Sequence, residues 1–192
     1  MTVNFIYKKF FLLPSLSSQS FNQILRLFLL SLIVSTHSVQ ANDENTESFV
    51  TEFKGLTEDN LPEYVSRMSQ HYYEQVESLG NYFQLYQQKR DPRGFNVWHL
   101  RGFSPSFNAL NDQSQQVATA NEKFLAERPE QALSTIFAEL KEVSVNLMVS
   151  FRENDPEAFK LANTKVKEHG EQIATLLKAH NLEAEIREVS LN

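Results

Sequence analysis

Four stretches of apolar residues, each spaced at three to four positions and set off by proline-bearing breakers, constrain this 192-residue chain more than any other feature. Such spacing puts a stripe on one side of an α-helix and must be buried against a neighbour. The first stretch runs from about Leu61 to Gln88. Its seam is Leu61, Val65, Met68, Tyr72, Leu79, Tyr82 and Tyr86, interrupted by Gln75 and widened by Val76 and Phe83. Asn60 is placed as its cap, Pro62 in the first turn and Glu63 as the capping-box acid. Asp91-Pro92-Arg93-Gly94 then marks a turn.

The second stretch opens at Ser104-Pro105, as cap and first-turn proline, and carries Phe107, Leu110, Val117 and Phe124 to about Glu127, where Arg128-Pro129 breaks it. Ser114 and Asn121 fall on its seam, as a buried polar pair or as the mark of an open groove. The third, from about Glu130 to Arg152, is lined by Leu133, Ile136, Phe137, Leu140, Val143, Leu147, Met148 and Phe151. Asn154-Asp155-Pro156 opens the fourth, which carries Phe159, Ala162, Val166, Ile173, Leu176 and Leu177 to about His180, with Asn181 at the exit.

Helices of these lengths are about 35–42 Å long. With short connections they predict a mainly α fold: an antiparallel four-helix bundle with a short extended C-terminal tail, Leu182 to Arg187, strapped across it. One alternative stays open. Val143 to Phe151 also alternates as a strand would, so residues 48–53, 143–151 and 183–189, or 96–103 in place of 48–53, could make a small sheet in an α+β fold.

Three zones organise the chain. Residues 27–34 form a short apolar run after Arg26, and Val39-Gln40-Ala41 ends in small residues, the pattern of an export signal cleaved after Ala41. The run is too short to span a bilayer, which needs about 20 residues. No twin arginine precedes it, which points to the general secretory route and a periplasmic or secreted product. Residues 42–60 read as an acidic flexible lead-in, and 61–192 as one helical domain. Removing 1–41 takes Lys8, Lys9 and Arg26 and no acid, so the formal net charge moves from −6 to −9. An acidic exported chain is a poor partner for nucleic acid and anionic lipid.

The chain has no cysteine. That excludes disulfides, zinc–thiolate and iron–sulfur sites, and a thiol nucleophile. Neither Glu-x-x-His nor His-Glu-x-x-His occurs, so no metal site is expected on His71, His99, His169 or His180. Met68, Met148, His71 and His180 are the residues available to a non-covalent haem, but methionines on an apolar stripe ordinarily fill core, and no cofactor is expected. No nucleophile or phosphate-loop motif is present.

The outlier is Lys89 to Phe107. Four cations, Lys89, Arg90, Arg93 and Arg101, face one acid, Asp91, and the only Trp, Trp98, stands beside His99 among Phe95, Phe103 and Phe107. Trp and Arg are enriched in binding hot spots. Phe95 to Phe103 shows no helical period and reads as a loop, either presenting these side chains or plugging the bundle with them. Tyr73 falls off the first seam and is expected to be exposed. The candidate binding residues are therefore Trp98, His99, Arg101, Phe103, Arg93 and Tyr73.

The reading is a non-enzymatic, exported helical binding or adaptor protein whose partner is another protein. The alternatives are a bundle that binds a small anionic ligand or haem, and an enzyme with a dispersed carboxylate/histidine site.

Overall fold

The computed structural model describes residues 49–191. The expected export signal and residues 42–48 of the lead-in lie outside the described residues. The described chain is mainly α, with no strand among its described residues. In order it forms α1 (Leu61–Lys89), α2 (Pro92–Trp98), a π-helical turn (His99–Phe103), α3 (Ser104–Ala120) and the short α4 (Glu122–Leu125). A 3₁₀ turn (Pro129–Gln131) leads into α5 (Ala132–Glu153), then α6 (Pro156–Ala179) and a last 3₁₀ turn (Glu183–Glu185). The α+β alternative fails: residues 143–151 lie inside α5, 49–52 are helical, 96–103 are α- and π-helical, and 183–185 form a 3₁₀ turn.

The breakers act largely as their chemistry requires. Asp155 caps α6 by accepting from the Glu157 and Ala158 N–H groups at 2.9 and 3.2 Å. Arg128 is extended ahead of Pro129. Asn154 and Asn181 leave α5 and α6 in the left-handed conformation that asparagine tolerates. Two expected caps do not form. Asn60 turns backwards, accepting from the Thr57 N–H at 2.8 Å and donating to the Gly55 carbonyl, so no capping box is made. Ser104 sits inside a continuous helical run and caps nothing.

The core shows how α1 winds. Its buried face carries Leu61, Tyr72 and Phe83, with Val65 and Val76, Met68 and Leu79, and Ser69 and Gly80. Each pair is eleven residues apart, the repeat of a nearly straight helix; a seven-residue seam drifts by about 20° per heptad. The expected seam therefore runs off the core. Tyr82 is 39% exposed, and Tyr73, expected at the surface, is buried.

The lead-in is also corrected. Phe49, Phe53 and Leu56 are buried in the core. Asn121 holds them: its Oδ1 accepts from the Leu56 N–H at 2.7 Å, and its Nδ2 donates to the Phe53 and Val117 carbonyls at 2.8 Å. Arg67 pairs with Glu52, and Arg128 with Glu58, from outside. Three apolar side chains in an acidic stretch suffice to bind it down, because each buried Phe or Leu stabilises by about 1.5–3 kcal/mol.

α5 and α6 make the most extensive helix pair, with α1 against both and α3 against α5. The tail expected to be extended from Leu182 instead winds into the 3₁₀ turn, and the chain crosses α1 and α6 only after it, from Ile186. Leu191 is fully buried, and its N–H donates to Asn163 Oδ1 at 3.2 Å. The strap lies close because α6 offers Gly170, where an added Cβ would stand 2.7 Å from Val189.

Candidate functional site

The aromatic segment is helical, not a loop, and its sequence period explains why. Phe95, His99, Phe103 and Phe107 recur every fourth residue, and all four are buried. In an α-helix of 3.6 residues per turn, each step of four rotates the side chain by about 40°, so three steps carry the last ring well off the first one's face. A π turn loosens the winding: the Ser104 N–H bonds to the carbonyl of His99, five residues back. The rings then stack as a ladder. His99 and Phe103 stand 5.5 Å apart, and Phe103 and Phe107 stand 5.4 Å apart with their planes 5° off parallel.

The corner preceding the ladder is fixed by Asp91, whose Oδ1 accepts from the Gly94 N–H at 2.8 Å. Pro92 supplies a first-turn residue that needs no N–H partner. Trp98 is half-buried, lying flat on Tyr82 of α1 with centroids 4.1 Å apart and planes 13° apart. It also packs on Phe95 and Phe103.

What the ladder turns inward, the opposite face turns out. Val97 is 51% exposed and Leu100 56%. Arg93 and Arg101 are exposed beside them. Val97 follows Arg93 by four positions, and Leu100 and Arg101 follow Val97 by three and four, so the four share one side of the helix. Tyr82 and Leu85, both 39% exposed, lie three apart on α1 at the side where Trp98 rests.

The six sequence candidates therefore divide. Arg93 and Arg101 are exposed, Trp98 is half-buried, and His99, Phe103 and Tyr73 are buried. His99 leaves the binding list because its ring is a rung of the ladder; burial pushes its imidazole below the usual range, and its Nε2 has no partner among the described residues. Tyr73 leaves it because the tail covers it, with the Arg187 guanidinium 5.8 Å from its ring centre. Val97 and Leu100 were missed. Read as part of a loop, they had no face; the four-residue period of the aromatics was the signal that would have placed them opposite the core.

A second cluster escaped the sequence reading. His169, 1% exposed, donates from Nε2 to Glu139 Oε2 at 2.8 Å, which leaves Nδ1 to accept the Tyr72 hydroxyl at 3.0 Å. Lys165 reaches the same Glu139 oxygen at 3.0 Å. The His169 hydrogen bond, followed by the Lys165 one, holds the Glu139 carboxyl below its ordinary range. The array joins α1, α5 and α6. It resembles a catalytic relay in composition only. Tyr72 is fully buried, its proton is spent on His169, and burial drives its phenol far above the usual range, so it offers substrate neither a surface nor a nucleophile. His180 is likewise committed, to Glu130 at 2.7 Å.

Clefts of about 200 and 320 Å³ flank the C-terminal strap, with Arg187 and Val189 in both walls. No group of three or more His, Asp or Glu side chains among the described residues is arranged to hold a metal ion. No helix among them is long and apolar enough to cross a membrane. No family model, curated protein or solved structure matches the chain.

Proposed function

We propose that this is an exported, periplasmic helical adaptor, without enzymatic activity, that binds another protein through the corner formed by α2 and the π turn. One observation carries the reading: Val97 and Leu100, each more than half exposed, stand in line with Arg93 and Arg101 on one helix face. Exposed aliphatics flanked by arginine, beside a Tyr–Trp stack, have the composition of interface hot spots. The π turn that creates the face belongs to a class found frequently at functional sites. We further read α1, α3, α5 and α6 as an antiparallel four-helix bundle; four long helices with short connections support that arrangement.

The test is capture. A photo-reactive benzophenone side chain at position 100 of the mature chain should cross-link one protein partner in a periplasmic extract, and a Val97→Ser, Leu100→Ser chain should fail to retain it. Equal retention by the double variant would remove the corner from the function. The N-terminus of the exported protein, read by mass spectrometry, should be Asn42; an intact Met1 would remove the export reading.

A further inference from the structure

The arginines of the corner differ from the other arginines of the described chain. Arg67 pairs with Glu52, Arg128 with Glu58, Arg152 with Glu153, and Lys165 with Glu139. Arg187 lies over the Tyr73 ring. Among the described residues, no carboxylate comes within 4.0 Å of Arg90, Arg93 or Arg101, and the acid in their midst, Asp91, has one oxygen spent on the Gly94 N–H. An acidic chain thus engages its other arginines and leaves Arg93 and Arg101 without an acid, on the face that bears two bare aliphatics.

Resting on the docking reading above, we propose that the occupant of this corner is an acidic amphipathic segment of another protein, with aliphatic side chains flanked by carboxylates. Each feature requires its complement. Val97 and Leu100 need an apolar partner to leave water. A guanidinium is weakly hydrated and presents a planar fork that takes a carboxylate through two hydrogen bonds, so arginine loses little on entering an interface with an acid opposite. Two guanidiniums in line with an aliphatic pair also repel a basic segment. An anionic lipid surface would meet the same arginines, but the rest of a mature chain of net −9 opposes it. The single Trp does not reach outward as an interfacial anchor would; it lies flat on Tyr82.

That stack makes Trp98, the only tryptophan in the chain, a reporter within the site. The mature protein is titrated with three probes: a helical Leu/Glu peptide of about five turns with its leucines on one face, the same peptide with Lys for Glu, and phosphatidylglycerol vesicles. The acidic peptide should shift the Trp98 emission. Its binding should weaken about ten-fold between about 50 and 500 mM salt. An Arg93→Gln, Arg101→Gln chain with unchanged circular dichroism should lose that binding, and the Lys peptide and vesicles should leave the emission unmoved.

Equal binding of the two peptides, abolished by Val97→Ser, Leu100→Ser, would overturn the acidic occupant and leave the docking face standing. Preference for vesicles would overturn it in favour of a membrane surface. Silence from all three probes would overturn it as well, with the docking reading then decided by the cross-link at position 100. Peptide binding that survives both double variants would remove the corner altogether.

Discussion

Tyr72, His169, Glu139 and Lys165 form one polar array, and Arg90, Arg93 and Arg101 form another; the two are built on opposite rules. In the first, each side chain has a partner and the hydrogen bonds agree in direction: the hydroxyl donates to Nδ1, Nε2–H donates to the carboxylate, and the ammonium takes the same oxygen. In the second, no carboxylate among the described residues comes within 4.0 Å, and the apolar residues between Arg93 and Arg101 face water. A buried polar group without a partner costs about 1–3 kcal/mol, so the core cannot leave one idle cheaply. A surface can, because water satisfies it. The array that is complete within the chain therefore belongs to stability, and the incomplete one is where a second molecule has something to add.

The comparison breaks most visibly at His169. His169→Leu removes two hydrogen bonds at once and leaves the Tyr72 hydroxyl sealed in apolar surroundings. The expected loss is about 3 kcal/mol, or roughly 10 °C in melting temperature for a chain of this size. Tyr72→Phe should cost about half as much, since only Nδ1 is then orphaned. Thermal unfolding checks both. A loss under about 1 kcal/mol for His169→Leu would mean that the array is not the staple its geometry describes.

The same array sets an acid limit. Glu139 is held below the ordinary carboxylate range in the folded chain, so the unfolded chain takes up its proton first as pH falls. The stabilisation is complete above that range and drains away through it toward the folded value. Removing His169 removes the largest cause of the depression, so the acid-side slope of stability should flatten in His169→Leu.

His99 lies between the two rules, buried like the first array, with Nδ1 facing the Ser104 hydroxyl at 3.4 Å and Nε2 without a partner among the described residues. Burial lowers its imidazole below the usual value of about 6.5, so the unfolded chain protonates first and stability falls as pH drops below about 7. His99→Phe completes the ladder of Phe95, Phe103 and Phe107 and deletes the orphan Nε2. Urea unfolding should show a gain of about 1 kcal/mol at pH 6 and a smaller one at pH 8. A variant less stable at pH 6 would show that the nitrogen is satisfied.

These outcomes trace back to what periodicity can and cannot convey. The long helices and most of their ends are legible because Asp155-Pro156 and Arg128-Pro129 act locally, on backbone groups within a turn of themselves. The burial of α5 is legible from its nearly continuous apolar surface. Tyr73 and Tyr82 were misplaced because a seven-residue seam and an eleven-residue one differ by a few degrees per residue, which accumulates along 29 residues into a change of face. Phe95 to Phe107 was misread because its period of four fits neither helix nor strand, and only the π turn reconciles it. The staple was invisible for another reason. Tyr72, Glu139 and His169 are 67 and 30 residues apart, and helix packing, not spacing, brings them together.

The smallest expected effect is the one that sharpens the comparison most. If the corner is held back for a partner, its exposed side chains contribute nothing measurable to folding. Val97→Ser with Leu100→Ser removes two aliphatics that are already more than half in water, and Arg93→Gln with Arg101→Gln removes two charges that have no intramolecular partner. Each pair should change the unfolding free energy by less than about 0.5 kcal/mol, and relief of mutual repulsion among the arginines should give the second pair a slight gain at low salt. Denaturant midpoints at low and high salt measure this directly. A loss of 2 kcal/mol in either pair would mean that the ridge is tied down by the fold, and the contrast between a complete array and an open one would collapse.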